Sequence, residues 1–263
     1  TEGGKQAVAE AYRNLVSVGA KPVAVTDNLN FGDPEDPEVM GQFVECVQGI
    51  TEACKTLNFP VVSGNVSFYN QTDGKSILPT PTIGGVGLID NLKRATRLSI
   101  SQNDLIYLVG LNDNNVTPLS LLYETQQVSV SYANIKVNLE HELKNGKFVL
   151  ELICRGQLTF THDVSDGGIG LALAEMSINN NIGLETEFKD LLFFFNETQA
   201  RYIVTVKEEN EKELIKSAKK NGVKIEKIGT FGGNVLKFGK DNISLKEIKK
   251  VYLNKLKDIL ERN

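Results

Sequence analysis

Cysteine is scarce in this sequence: Cys46, Cys54 and Cys154 are the three cysteines among 263 residues. Their number is odd and their spacing matches no metal-binding pattern, while free cysteine commonly behaves as a small buried hydrophobe. This usage therefore indicates the reducing environment of the cytoplasm.

Long apolar runs and a basic excess are missing as well. No stretch approaches the roughly 18 apolar residues that span a bilayer, and the N-terminal segment Thr1–Lys5 lacks the apolar core of a signal peptide. The formal net charge of -4 creates no basic field for nucleic acid, and the lysines between Lys237 and Arg262 are typical of a solvated helix face. Neither a membrane nor nucleic acid is an expected partner.

The residues that are present are typical of a folded globular protein. Hydrophobic residues make up 41% and charged residues 24%, and a length of 263 residues favours two ordinary domains. Apolar periodicity lapses from Arg94 to Asn103, which predicts a linker there and domains at 1–98 and 99–263. The chain has no initiating methionine, so we expect that it starts partway through a longer protein.

Helices and strands are predicted to alternate in the first domain. Apolar residues at helical spacing predict an amphipathic helix over 5–18, ended by Gly19. Asp36 is the predicted cap of a second helix that begins at Pro37 and runs to about Leu57. Strands are predicted at Pro22–Thr26, Phe59–Ser63 and Pro79–Ile89, with a polar loop at Asp27–Gly32 and a polar hairpin around Asp73.

The second domain is predicted to mix buried strands with helices. A strand at Leu105–Val109 opens it, and a helix follows at Leu171–Ile178. A charged helix is predicted near 208–221, and another helix ends the chain. The remaining strands are predicted at Tyr202–Val206 and as a pair, Val223–Phe231 and Val235–Phe238, separated by two glycines.

The segment Ser63–Ser67, Ser-Gly-Asn-Val-Ser, has the chemistry that best suits phosphate and metal. Gly64 permits close backbone approach to a ligand, the Asn65 amide oxygen can coordinate a hard cation, and the Ser67 hydroxyl can bind an anionic oxygen. The same residue types also form ordinary turns, so the segment alone leaves a site and a turn both open. If it is extended, Asn65 and Ser67 lie on one face.

A second polar motif, His162–Gly170, precedes the helix predicted at 171–178. Two interpretations stay open. In one, its Asp and Ser residues are ordinary helix caps; in the other, Asp163 and Asp166 hold a metal while free N–H groups face a nucleotide phosphate. His162 has no paired cysteine or serine and is interpreted as structural.

Several segments together resemble the second half of the phosphoribosylformylglycinamidine synthase subunit II family. The match is specific from Gly3 to Gly87, resumes at His162–Gly168 and is looser elsewhere. The segments that carry it are Gly3–Ala11, Pro22–Gly32, Pro34–Phe43, Val62–Ser67 and Thr80–Gly84.

The resemblance implies an α+β fold with two parts. The first is a PurM-like N-terminal domain, ferredoxin-like and contributing to a shared β-barrel; the second is a PurM-like C-terminal α/β domain. The resemblance also implies an ATP-dependent ligase of purine biosynthesis. In the family, ATP activates the formamide oxygen of formylglycinamide ribonucleotide, and ammonia then displaces phosphate.

The family pattern also implies roles for individual residues. It places ATP contacts on Asp27 and Gly64, a magnesium ligand on Asn65 and a substrate contact on Ser67. The family's catalytic histidines and most of its magnesium carboxylates lie in its N-terminal half, and the two histidines of this chain match neither catalytic position. We therefore expect no catalytic residue in this chain and no activity from it alone.

The implied partners are formylglycinamide ribonucleotide, the N-terminal half of the same protein, a glutaminase subunit and a small bridging subunit. Leu111–Asn115 departs from the family, because a glycine-rich phosphate motif is missing there; this argues against a second nucleotide pocket, although Asp163 and Asp166 persist. Two other functions stay open. One is a non-catalytic scaffold that closes the barrel and docks partner subunits, and the other is a kinase for a small acceptor such as thiamine monophosphate.

Overall fold

A computed structural model of the chain describes residues 1–92, 99–112, 120–126, 136–187 and 190–261. The chain forms two compact units, one of Thr1–Ala95 with Tyr132–Cys154 and the other of Thr96–Ser131 with Arg155–Asn263. The predicted linker at 94–103 and the departure at 111–115 lie partly outside the described residues.

The described residues contain eight α-helices and twelve strands. The helices are α1 Glu2–Ser17, α2 Pro37–Leu57, α3 Leu121–Gln126, α4 Leu139–Cys154, α5 Gly168–Asn180, α6 Leu191–Phe195, α7 Glu211–Asn221 and α8 Leu245–Leu260. The strands are β1 Lys21–Asn30, β2 Val61–Ser67, β3 Gln71–Thr72, β4 Lys75–Ser76, β5 Thr80–Leu88, β6 Leu105–Val109, β7 Phe160–Asp163, β8 Leu184–Thr186, β9 Tyr202–Val206, β10 Ile225–Phe231, β11 Val235–Phe238 and β12 Asp241–Ser244.

The two helices predicted in the first unit are confirmed, and so are the residues predicted to start α2 and to end α1. Asp36 is the N-cap of α2, and its carboxylate accepts a hydrogen bond from the Glu38 N–H at 2.8 Å, which satisfies one of the free amides of the first turn. Gly19 follows α1 with a φ of +80°, a backbone conformation that glycine adopts without strain. The helix was predicted to extend to residue 18, but Val18 lies beyond its end and is exposed.

A three-stranded sheet lies at the centre of the first unit, in the order β2-β1-β5. Strand β1 runs parallel to β2 and antiparallel to β5. Helix α1 packs closely on one face: a Cβ added at Gly85 would meet Leu15 and Phe59, and one added at Gly87 would meet Ala20 and Leu15. These glycines let the helix approach the sheet, as expected where glycine interrupts a strand.

Strand β1 is longer than predicted, and the loop predicted at Asp27–Gly32 is wrong. The strand continues to Asn30, because β1 lies between two partners and both hydrogen-bonded ladders extend that far. The strand is not buried along its whole length, since buried Val25 and Leu29 alternate with more exposed residues. That alternation is typical of a sheet with one covered and one open face.

Helix α4 belongs to the first unit, although it follows β6 in the chain. Arg13 on α1 forms an ion pair and a hydrogen bond with Glu142 on α4, and both side chains are 0% exposed. The Glu2 carboxylate also accepts a hydrogen bond from the Val137 N–H at 2.8 Å. These contacts attach the N-terminus of α4 to α1.

The second unit is built on a seven-stranded sheet in the order β12-β11-β8-β10-β6-β9-β7. Every residue of β6 and β9 is buried, as expected for strands covered on both faces. The prediction that β10 and β11 pair with each other is wrong. Strand β8 lies between them and is hydrogen-bonded to both. Apolar side chains of α5 join the core of this unit.

Two further observations concern membrane-spanning helices and the cysteines. Within the ranges that the structure describes, no helix is both long enough and apolar enough to cross a membrane. Cys46 and Cys54 are buried, Cys154 is exposed, and all three are free thiols.

Candidate functional site

The segment Ser63–Ser67 is part of strand β2, so its interpretation as a turn is wrong. Strand β2 lies beside β1 in parallel register, which pairs Asp27 with Gly64, Asn28 with Asn65, and Asn30 with Ser67. All four residues that the family pattern singles out therefore lie on two neighbouring strands.

The strands nevertheless divide these residues between two faces of the sheet. Successive residues of a strand point to opposite faces, so Asp27 and Asn28 face opposite ways. The Asp27 carboxylate lies over Gly64, where an added Cβ would run into it. On the other side, Asn65 Nδ2 donates a hydrogen bond to Asn28 Oδ1 at 3.0 Å. Asn65 and Ser67 share a face, as predicted for an extended segment, while Asp27 lies on the face that the helices cover.

The part of this face that carries Asn65 and Ser67 is polar and uncharged; we call it the open face. Three rows of register partners cross it from β2 through β1 to β5. In these rows hydroxyl and amide side chains lie next to each other, and only one position is a glycine. The rows are Ser63–Thr26–Gly84, Asn65–Asn28–Thr82 and Ser67–Asn30–Thr80. Such a surface offers many hydrogen-bond donors and neutral oxygen acceptors to a ligand.

Two asparagines of β1, Asn28 and Asn30, are functional candidates that the sequence interpretation missed. Asn28 Oδ1 accepts hydrogen bonds from Asn65 Nδ2 at 3.0 Å and from Asn30 Nδ2 at 3.2 Å. The available signal was the Asn-x-Asn spacing of β1 beside the Asn-x-Ser spacing of β2, two alternating patterns that match only if the strands are parallel and in register.

Ser67 is held by a third asparagine, Asn70. The Asn70 amide donates to Ser67 O at 2.9 Å and to Phe31 O at 2.9 Å, and its oxygen lies 3.3 Å from Ser67 Oγ. These bonds fix the end of β2 against the end of β1. The Ser67 hydroxyl is therefore positioned before any ligand binds.

Asp27 has a different environment from the open-face residues. Burial raises the pKa of its carboxyl group above the ordinary value. Burial also raises the pKa of Cys54 to about 11, with a smaller contribution from the Asp27 charge. Burial raises the pKa of Cys46 too; the charged N-terminus opposes this rise and the Asp27 charge adds to it. Because these cysteines belong to α2, the Asp27 charge lies on the side of the sheet that α2 covers.

The metal chemistry of the open face is limited by its donors. The described residues hold no cluster of three or more His, Cys, Asp or Glu side chains that could bind a metal ion. Hard oxygen donors are present, since Asn65 Oδ1 and the Ser67 hydroxyl are both types that Mg²⁺ accepts. These residues fit a cation that takes its charged ligands from elsewhere, such as substrate phosphates.

Of the two interpretations of the second polar motif, the one in which its Asp and Ser side chains cap the helix is wrong. The N-cap of α5 is Gly167, with a φ of +71°, and not Asp166 or Ser165. The Gly167 N–H donates to Glu197 Oε1 at 2.8 Å, so a carboxylate of the protein itself lies at this helix N-terminus. A nucleotide site that uses Asp163 and Asp166 stays a prediction.

His162 lies between acidic groups. Its Nε2 is 3.5 Å from Glu175 Oε2, and its Nδ1 is 3.7 Å from Asp163 Oδ1 and 2.7 Å from the Asp163 carbonyl oxygen. Tyr252 on α8 donates a hydrogen bond to the same Glu175 carboxylate at 3.0 Å. These contacts join β7, α5 and α8, which agrees with the structural role interpreted for His162.

Comparison with known proteins matches the chain to two family models. Residues 1–89 match the family described as AIR synthase related protein, N-terminal domain, and residues 101–237 match AIR synthase related protein, C-terminal domain. Curated relatives carry the name phosphoribosylformylglycinamidine synthase subunit PurL. One from Azorhizobium caulinodans is 47% identical over 98% of this chain, and one from Rhodopseudomonas palustris strain HaA2 is 44% identical over 98%.

The chain spans about a third of the length of these relatives, 35% and 36% respectively. Solved structures show the same fold. The T. maritima PurL complexed with ATP has a TM-score of 0.69 at 15% identity, covering 94% of this chain and 41% of that one. The hydrogenase maturation protein HypE in complex with ATP has a TM-score of 0.67 at 14% identity, covering 92% and 78%.

These matches confirm the predicted α+β fold with PurM-like N-terminal and C-terminal domains. The C-terminal match takes in more than half of the 263 residues, and the N-terminal match takes in most of the rest. The chain therefore belongs to the AIR synthase related protein family and carries both of its domains.

Proposed function

We propose that this chain forms part of an ATP-dependent phosphoribosylformylglycinamidine synthase. That enzyme converts formylglycinamide ribonucleotide, ATP and ammonia into formylglycinamidine ribonucleotide, ADP and phosphate. The Azorhizobium caulinodans relative that carries this enzyme's name matches 98% of the chain at 47% identity. One T. maritima PurL structure is described as complexed with ATP and another with FGAR.

The observation that carries the proposal is the paired register of β1 and β2. It sets Asn65 and Ser67 on one polar face beside Asn28 and Asn30, while Gly64 leaves the adjoining backbone without a side chain. An uncharged face of this kind suits a substrate that is itself rich in hydroxyl, amide and phosphate groups. In this proposal Ser67 binds substrate on the open face.

In the proposal Gly64 and Asp27 also contribute to ATP binding on these two strands. Each contributes through its backbone, since the Asp27 carboxylate lies over Gly64 on the face that the helices cover. The barrier to phosphoryl transfer is lowered mainly by positioning and charge neutralisation. In the proposal β1 and β2 contribute to both effects. The groups that move protons are proposed to come from a complementary region outside this chain.

Magnesium is the proposed cofactor, with Asn65 Oδ1 as one of its ligands. When bound, Mg²⁺ neutralises phosphate charge during transfer. Asn65 supplies one neutral oxygen, and the other ligands are proposed to be nucleotide phosphates and carboxylates of the complementary region.

The proposed partners follow from the family. They are the N-terminal half of the same protein, a glutaminase subunit that delivers ammonia, and a small bridging subunit. The exposure of β2 supports a partner at this edge of the sheet: every residue from Val61 to Val66 is exposed, and Val62 is 69% exposed. The proposed location is the cytoplasm, which agrees with the three free cysteines.

The test is a chimera in which this chain replaces the matching region of the Azorhizobium caulinodans relative. We expect ammonia-dependent ADP release that requires formylglycinamide ribonucleotide. Asn65→Ala is expected to reduce kcat/KM at least about 10-fold, a loss of about 1.4 kcal/mol of transition-state stabilisation. Asn242→Ala, at an exposed asparagine of strand β12, is the matched control. A folded chimera without substrate-dependent ADP release contradicts the proposal.

A scaffold function is the second candidate, and the exposed edge strand β2 favours it. A scaffold would close the barrel and dock partner subunits without contacting nucleotide. Calorimetry with Mg-ATP on the chimera separates the two functions: the scaffold predicts the same affinity for the Asn65→Ala chimera, whereas the ligase proposal predicts a weaker one.

A further inference from the structure

Asn28 is the side chain on which the amides of the open face converge. Its Oδ1 accepts from Asn65 Nδ2 on β2 and from Asn30 Nδ2 two residues along β1. We infer that Asn28 is a positioning residue, which holds the Asn65 amide with its nitrogen inward and its oxygen toward the ligand. This inference rests on the proposed function, because it concerns the cation that Asn65 is proposed to bind.

The geometry gives Asn28 this role because an asparagine amide has two chemically different ends. The end torsion of asparagine is broad and roughly two-fold, so an exposed amide can present either its oxygen or its NH₂ group. A cation binds the oxygen and is repelled by the amine hydrogens. The hydrogen bond from Asn65 Nδ2 to Asn28 Oδ1 fixes the choice, since the nitrogen is held and the oxygen is left available.

Asn28 is itself held in place by Asn30. The Asn30 amide donates to Asn28 Oδ1 at 3.2 Å, to Asn28 O at 3.3 Å and to Thr80 O of β5 at 3.4 Å. A single amide thus connects the middle strand to its antiparallel neighbour and fixes the rotamer of Asn28. The chain of bonds runs from β5 through β1 to Asn65 on β2.

Because the open face is uncharged, cation binding depends more strongly on the orientation of the Asn65 amide. No Asp or Glu occupies the three rows of register partners, so no carboxylate there compensates for a misdirected amide. The residue that orients a ligand typically changes metal affinity by about 10- to 100-fold when it is removed. Replacing Asn28 with a residue that has no acceptor is therefore expected to weaken the cation site, although Asn28 does not contact the cation.

The test measures Mn²⁺ binding by electron paramagnetic resonance in the full-length chimera with AMPPCP, which keeps the reaction from proceeding. Asn28→Ala removes the acceptor, and Asn28→Asp keeps an oxygen acceptor for both amides. Asn65→Ala removes the proposed ligand itself, and Asn242→Ala is the matched control on β12. Thermal unfolding of each variant shows that it is folded.

The expected result is a Mn²⁺ Kd raised about 10-fold in Asn28→Ala, as for a lost ligand-orienting group, and left close to the unsubstituted value in Asn242→Ala. In Asn28→Asp the Kd should be no higher than the unsubstituted value, because the acceptor is kept and the added negative charge attracts the cation. Turnover at saturating Mg²⁺ should recover in Asn28→Ala, so the defect appears in the Mg²⁺ dependence and not in the limiting kcat. A Kd that changes in Asn65→Ala but not in Asn28→Ala overturns the inference and leaves the proposed function standing. A Mn²⁺ signal that does not depend on Asn65 overturns the inference together with the proposed ligand role of Asn65, while substrate-dependent ADP release by the chimera tests the synthase function separately.

Discussion

The carboxylate of Asp27 lies over the backbone of Gly64, its register partner across the parallel strands β1 and β2. A Cβ at position 64 would run into Asp27 Oδ1 and would come within 2.9 Å of the Asp27 backbone oxygen. The carboxylate can swing away, but the backbone oxygen is held by the strand. Gly64 is therefore required by its neighbour in the sheet as well as by any ligand.

Gly64→Ala is accordingly expected to lower the free energy of unfolding by about 1–3 kcal/mol, the usual cost of overpacking. Urea denaturation followed by circular dichroism measures it. Gly41→Ala is the matched control, because nothing lies within 4 Å of an added Cβ there and the helical position should gain about 0.5–1 kcal/mol. If the double variant Asp27→Ala/Gly64→Ala loses as much as the single variants added together, the Asp27 backbone oxygen and not its carboxylate is the cause. A Gly64→Ala protein as stable as the unsubstituted one would contradict the clash.

The buried pair of Arg13 and Glu142 gives a second prediction. Both side chains are 0% exposed, so removing one of them takes the opposite charge away from the other in the interior. Arg13→Met should therefore lower the free energy of unfolding by about 3–5 kcal/mol, and Arg13→Met/Glu142→Leu should recover most of that loss. Chemical denaturation at pH 7 measures both variants.

An exposed ion pair supplies the control for that experiment. Lys216 and Glu213 lie 4.0 Å apart on the surface of α7, so Lys216→Ala should change the unfolding free energy by less than about 1 kcal/mol. A loss in Arg13→Met no larger than the loss in Lys216→Ala would mean that the buried charges do not govern the attachment of α4.

Local sequence patterns were sufficient to predict an element where its structure does not depend on distant residues. Asp36 and Pro37 predict the start of α2, and the hairpin around Asp73 forms between β3 and β4 with Asp73 and Gly74 at positive φ. The strands β6 and β9 were also predictable, because a short β-branched and apolar run is what a doubly covered strand requires.

Long-range pairing explains what the sequence could not predict. The polar residues Asp27–Asn30 are typical of a loop, yet ladders with β2 and β5 hold them in a strand. The division of Asp27 and Asn65 between two faces depends on that register. The attachment of α4 depends on Arg13 and Glu142, which are 129 residues apart in the chain. No local pattern carries that information.

Glu197 gives the last prediction. Its Oε1 accepts hydrogen bonds from Gly167 N–H at 2.8 Å and Leu121 N–H at 2.9 Å, at the starts of α5 and α3. Burial raises the pKa of this carboxyl group above its ordinary value of 4.5, and the nearby charges of Asp166 and Glu124 add to the rise, while the two hydrogen bonds oppose it. The folded protein therefore binds a proton more readily than the unfolded chain does.

The sign of the pH dependence follows from this linkage. Between the unfolded pKa and the raised folded pKa the native state holds more protons, so this group lowers the free energy of unfolding as pH increases through that interval. Glu197→Gln keeps an oxygen acceptor for both N–H groups and removes the titration, so its stability relative to the unsubstituted protein should increase as pH increases from 4 to 7. Urea denaturation at several pH values measures the difference.

Glu197→Ala separates the hydrogen bonds from the charge. It leaves two N–H groups without their acceptor and should lower the free energy of unfolding by about 1–3 kcal/mol at every pH, in contrast to the Gln variant. A difference between Glu197→Gln and the unsubstituted protein that stays constant from pH 4 to pH 7 would contradict the raised pKa. Equal stability of the Ala and Gln variants would contradict the role of Glu197 as the acceptor at the two helix starts.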